Sequence, residues 1–190
     1  MKLTLPTVLT LGRIALVPLL VLLFYLPYEW SGPAAAVAFA LGGITDWLDG
    51  YLARRLDQQS SFGAFLDPVA DKVMVAVVLV MLVQANPTLW MTLPAMVIIG
   101  REIVISALRE WMAEIGQRAH VAVNVLGKVK TTAQIAALLL MLYADPIFGV
   151  STFTAGFVLL YVAALLTLYS MIEYLRAAIA VAASLPEPGG

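Results

Sequence analysis

Long apolar runs alternate with short polar breaks along this chain, and the breaks set the elements. Apolar residues fill 14–26, the run from 34, the stretch up to about 83, 88 to beyond 111, 126–143 and 153–174. A helix needs about 20 mostly apolar residues to cross a bilayer, and these runs, with their flanks, are of that order. The pattern therefore predicts an all-α integral membrane protein: a six-transmembrane-helix bundle preceded by a short N-terminal interfacial segment. That segment, 2–13, is too polar to span and too apolar for a free tail. Pro18 is a potential kink in the first crossing, and Tyr28 and Trp30 are interfacial anchors in the first outer turn. Pro68 sets the start of the third helix close to Asp67. Residues 1–183 read as a single domain and 184–190, S-L-P-E-P-G-G, as a disordered tail.

One polar stretch interrupts this pattern with chemistry. Residues 46–71 read D-W-L-D-G-Y-L-A-R-R-L-D-Q-Q-S-S-F-G-A-F-L-D-P-V-A-D and place Asp46 and Asp49 before a break, Asp67 and Asp71 after it. On a helix, Asp46, Asp49, Gly50 and Ala53 fall within roughly a third of the circumference, with Arg54 at the shoulder. Asp67 and Asp71 lie one turn apart on the next segment and share a face. Folding the two segments against each other at the break would bring all four acids together.

Energy decides what such a cluster is for. Four lipid-facing Asp would cost about 10 kcal/mol on insertion scales, so they should face the bundle interior. Packed together without a counter-ion they would repel, and some would neutralise. A divalent cation removes both problems, and all-carboxylate ligation suits Mg²⁺ or Mn²⁺. Four carboxylates suffice for two ions, an arrangement that clamps a phosphoryl group in displacement chemistry.

Composition narrows the class further. Hydrophobic residues make up 62% and charged residues 12%, with a mean hydropathy of +0.95, which excludes an ordinary soluble domain. The net charge of -1 is uninformative, but the placement of charge is not. Lys and Arg fall at 2 and 13, at 54, 55 and 72, between 101 and 130, and at 176, whereas 27–33, 84–89 and 144–152 carry none. The positive-inside rule then puts both termini and every basic zone in the cytoplasm. Absence of Cys excludes disulfides, thiol nucleophiles and thiolate metal sites. The first apolar run lacks the order of a cleaved signal and reads as a retained crossing. His120 stands alone in an expected loop, where a catalytic or metal role is not expected.

The spacing D-x2-D-G-x2-A-R-x8-G-x3-D-x3-D, here Asp46, Asp49, Gly50, Ala53, Arg54, Gly63, Asp67 and Asp71, is identified as the signature of the CDP-alcohol phosphotransferase family. Flanking segments L-P-T-V-L-T-L-G-R, R-E-I-V-I-S-A-L-R-E-W and G-K-V-K-T resemble the family's bacterial members that take glycerol 3-phosphate, and the likeness extends to about Arg176. The resemblance implies transfer of the phosphatidyl group of CDP-diacylglycerol to sn-glycerol 3-phosphate, releasing CMP. It further implies a homodimer in the bacterial cytoplasmic membrane, its polar site facing the cytoplasm, with two Mg²⁺ or Mn²⁺ ions on Asp46, Asp49, Asp67 and Asp71. Asp71 is either the base for the incoming hydroxyl or purely a ligand.

For CDP-diacylglycerol, Gly50 and Ala53 leave room for a pyrophosphate against the backbone and Arg54 pairs with its oxygens. Gly63 fits a positive-φ turn or a close approach to ligand. Ser60 offers a hydroxyl, as any solvated loop would. Thr7, Thr10 and Arg13 make a stripe at i, i+3 and i+6: either a helix cap or, by resemblance for Thr10 and Arg13, part of the nucleotide side. Arg109, Arg118, Lys128 and Lys130 are either positive-inside bias with lipid headgroup contact or a pocket for the acceptor's phosphate. Arg101 reads equally as a structural pair with an acid. A sister enzyme using inositol phosphate or serine remains open, as does a divalent-cation transporter, which has no need of the Gly, Ala and Arg positions. No nucleic-acid surface is expected.

Overall fold

The computed structural model describes residues 5–56, 61–116 and 125–184. Among them the chain forms six helices and no strand: α1 (Leu5–Tyr25), α2 (Ser31–Leu56), α3 (Ser61–Ala85), α4 (Leu89–Glu114), α5 (Val125–Tyr143) and α6 (Thr152–Ser184). Three of them, over Thr7–Tyr25, Leu89–Glu114 and Thr152–Ala183, are long and apolar enough to cross a membrane. The acid motif takes up the end of α2 and the start of α3, and the apolar part of α5, Val129–Tyr143, is short.

α1 is one unbroken helix from Leu5, so residues 5–13 are not a separate interfacial segment. The polar positions that suggested one, Thr7, Thr10 and Arg13, are all buried against the bundle, where a helix can carry them without presenting them to lipid. α3 starts at Ser61 rather than near Asp67, with Pro68 inside it. Leu66, just before that proline, is already part of the packed interior, and its burial holds the upstream turns in helix. Gly63 is consequently helical, not a positive-φ turn residue. α6 runs ten residues past the expected end, through Ser184, which had been assigned to the tail; 185–190 lie outside the described residues.

Helix ends follow local chemistry. Thr88 caps α4, accepting from the Met91 N–H, and Gly116, at φ +73°, closes the other end by donating to the Ala113 carbonyl. Where helices approach closely, small residues allow it. A Cβ on Gly156 would lie 2.7 Å from the Ala137 carbonyl oxygen, which fixes α6 tightly on α5. Gly32 likewise meets the last carbonyls of α5, at Leu142 and Tyr143.

The main core draws on all six helices, among them Leu20, Phe39, Val78, Ile98, Leu138 and Leu160. Outward, Leu22, Val37, Val80, Met96, Val158 and Leu165 stand exposed, an apolar coat suited to lipid and too extensive for water. A second small core lies where the extension of α6 meets the end of α4: Met112, Ala178 and Val181, flanked by Leu108, Trp111 and Ile115.

Candidate active site

The acid motif and the polar stripe of α1 meet. Arg13, 1% exposed, donates from one nitrogen, Nη1, to Asp46 Oδ1 at 2.9 Å and to Asp71 Oδ1 at 2.5 Å. Thr10 donates its hydroxyl to Asp67. Helices α1, α2 and α3 thus close around three of the four motif acids, two of which converge on a single positively charged nitrogen. Asp46 and Asp71 keep nearly half of their side-chain surface open, facing a cavity of about 490 Å³. Phe39, Met74, Ile135 and Leu139 give that cavity an apolar wall. A buried guanidinium balanced by two carboxylates avoids the penalty of an unpaired charge.

Asp49, Gly50, Ala53 and Arg54 lie on the helical backbone of α2, but their side chains are outside the described residues, as are Ser60 and Arg118. Gly63 is buried in the first turn of α3. Among the described residues no three His, Cys, Asp or Glu are grouped to hold a metal, a count that omits Asp49. The donors nevertheless fit a hard divalent cation: they are all carboxylate oxygens, and Asp46 and Asp71 already arrange themselves about a positive charge.

A second cavity, of about 300 Å³, opens on the other side of Asp71 and is lined by cations. Lys130 is 6% exposed, and its Nζ is buried with no hydrogen-bond partner among the described residues. Arg101, also buried, holds Glu102 Oε1 at 2.6 Å and leaves its Nε unpaired. Arg109 lies over the Tyr174 ring at 5.8 Å and borders the same space. Arg101 is thus paired with an acid, as a structural role requires, and also lines the cavity. Of the four cations proposed for a phosphate, Lys130 and Arg109 share this cavity; Lys128 is placed only by its helical backbone in α5.

Several lining residues escaped the sequence reading. Thr131, Gln134, Ser170 and Tyr174 border the cationic cavity, and Thr131 and Gln134 border the apolar one as well. Their signal was periodicity: Gln134 follows Lys130 by one turn, and Tyr174 follows Ser170 by one turn. The roles of Arg13 and Arg101 needed three-dimensional partners. Asp71 and Gln134 thus stand on a wall common to both cavities.

The chain is 54% identical over 178 residues to the CDP-diacylglycerol--glycerol-3-phosphate 3-phosphatidyltransferase of Escherichia coli (strain K12), covering 94% of this chain and 96% of that protein. The enzymes of the same name from Shigella sonnei (strain Ss046) and Salmonella choleraesuis (strain SC-B67) are 54% and 53% identical over the same shares. The family model described as CDP-alcohol phosphatidyltransferase matches residues 3–182, nearly the whole chain, and so this chain belongs to that family.

Proposed function

We propose that this protein transfers the phosphatidyl group of CDP-diacylglycerol to sn-glycerol 3-phosphate, giving phosphatidylglycerophosphate and CMP. The observation that carries the reading is the position of Asp71, between an apolar cavity headed by acids and a cavity lined by Arg101, Arg109 and Lys130. The first suits a lipid donor whose acyl chains stay in the bilayer, the second a water-soluble phosphorylated alcohol. The relatives' names support the same pair of substrates.

In this reading the acceptor's terminal hydroxyl oxygen attacks the phosphorus that carries the diacylglycerol. The bond from that phosphorus to the CMP oxygen breaks, CMP leaves, and the hydroxyl proton passes to the Asp71 carboxylate. Asp46, Asp49, Asp67 and Asp71 would hold two Mg²⁺ or Mn²⁺ ions, which when bound neutralise charge on the phosphoryl group. Gly50 and Ala53 leave the pyrophosphate room against α2, and Arg54, Thr10, Ser60 and Gly63 complete the nucleotide side. Arg13 holds Asp46 and Asp71 in register. Lys130 and Arg109, with Arg118 and Lys128, take the acceptor phosphate. Six crossings, cytoplasmic termini, a cytoplasm-facing site and a homodimer in the bacterial inner membrane complete the proposal.

One assay tests it. Purified protein in detergent, given CDP-diacylglycerol, should release CMP with glycerol 3-phosphate but not with inositol phosphate, inositol or serine, and chelator should stop the release. Asp46→Asn, Asp49→Asn and Asp67→Asn should each abolish turnover; a near-normal rate in any one removes that residue from the metal site. CMP release with serine alone would reject the acceptor assignment.

A further inference from the structure

Gln134 has no place in the chemistry described so far, yet it stands at its centre. It is 8% exposed, lies one turn beyond Lys130 on α5, and shares with Asp71 the wall between the two cavities. Its amide opens into the cavities it lines. A primary amide with two donors and an acceptor, opening into a cavity beside Lys130 and Asp71, is placed to hydrogen-bond a polar ligand group.

The ligand's own dimensions indicate which group that is. In glycerol 3-phosphate, the phosphorus and the attacking hydroxyl are separated by roughly 5–6 Å on bond lengths of about 1.5 Å. With the phosphate at Lys130 and the terminal hydroxyl at Asp71, the middle hydroxyl lies between them in a cavity that Gln134 also lines. We propose that Gln134 is a specificity-determining residue that hydrogen-bonds the middle hydroxyl of the acceptor and so selects a three-carbon polyol phosphate over simpler phosphorylated alcohols. The inference rests on the acceptor assignment above and adds the group that reads the carbon chain.

The test compares glycerol 3-phosphate with 3-hydroxypropyl phosphate, which keeps the phosphate and the terminal hydroxyl but lacks the middle one. Wild-type enzyme should favour glycerol 3-phosphate by about 10- to 100-fold in kcat/KM. Gln134→Leu should bring the two acceptors within about 3-fold, by losing rate with glycerol 3-phosphate and keeping it with the analogue, while KM for CDP-diacylglycerol stays unchanged. Gln134→Met, closer in shape, gives the same readout if the Leu variant does not fold. A wild-type enzyme that uses glycerol 3-phosphate without distinguishing the analogue, or variants that keep the preference, would overturn the role of Gln134 and leave the acceptor assignment standing. A wild-type enzyme that uses neither phosphate overturns the acceptor assignment itself.

Discussion

Arg13 and Lys130 are both buried cations, and they differ in what answers their charge. Arg13 has two carboxylates within 2.9 Å, whereas the Lys130 Nζ faces a cavity with no partner among the described residues. Lys130→Ala should therefore leave the fold intact and raise KM for glycerol 3-phosphate by about 10- to 100-fold, the worth of one charge-assisted hydrogen bond. Initial rates against acceptor concentration check this, and a change confined to the lipid donor would contradict it. Arg13→Ala should cost about 1–3 kcal/mol of stability, less than a fully buried pair because both carboxylates are nearly half exposed. Thermal unfolding in detergent measures it, and turnover should fall in parallel as Asp46 and Asp71 lose their common partner. The meeting of Asp46, Asp67 and Asp71 was legible in the sequence because they sit at fixed spacing on two adjacent helices. Arg13 was only half legible: the stripe it belongs to is visible at i, i+3 and i+6, but its partners lie 33 and 58 residues away.

Among the elements, α5 is the one on which the site depends, since it carries Lys130 to the cationic cavity and Thr131 and Gln134 to the shared wall, and is gripped on two sides by glycine. Gly156→Val would drive a side chain into the Ala137 carbonyl, a backbone atom that has no rotamer to retreat to. The expected result is a destabilisation of about 1–3 kcal/mol with weaker acceptor binding, read from thermal unfolding and KM together. Gly42→Ala should be milder, because what it meets is the flexible end of Met74. Existence and order of the helices were readable from apolar runs, since each must satisfy its own backbone in lipid. Their ends were less so. Pro68 read as a start because proline favours that position, but burial of Leu66 carries the helix past it. The last turns of α6 were missed because their alanines, good helix formers, carry little apolar periodicity until Val181 is paired with Met112.

At the scale of the whole molecule, the proposed topology can be checked directly because the chain has no cysteine of its own. Single cysteines placed at Glu29, Asn86 or Asp145 should react with a membrane-impermeant maleimide added to spheroplasts, and one at Glu114 only after lysis. Reaction of the Glu114 site in intact spheroplasts would invert the topology. Charge placement is what points to this orientation, whereas nothing in the sequence indicated that the described residues form two cores. At 33 residues, α6 is about 50 Å long against a hydrocarbon layer of about 30 Å, and in the proposed topology its end, with Met112, Ala178 and Val181, would lie on the aqueous side. The two cores therefore answer to different solvents: one is held by packing in oil, the other by water's exclusion of apolar surface. Urea weakens only the second kind of cohesion strongly. Dilute urea should thus loosen Arg109 and Tyr174 first, raising KM for the soluble acceptor while the lipid is still bound normally, so that the enzyme loses its grip on one substrate before the other.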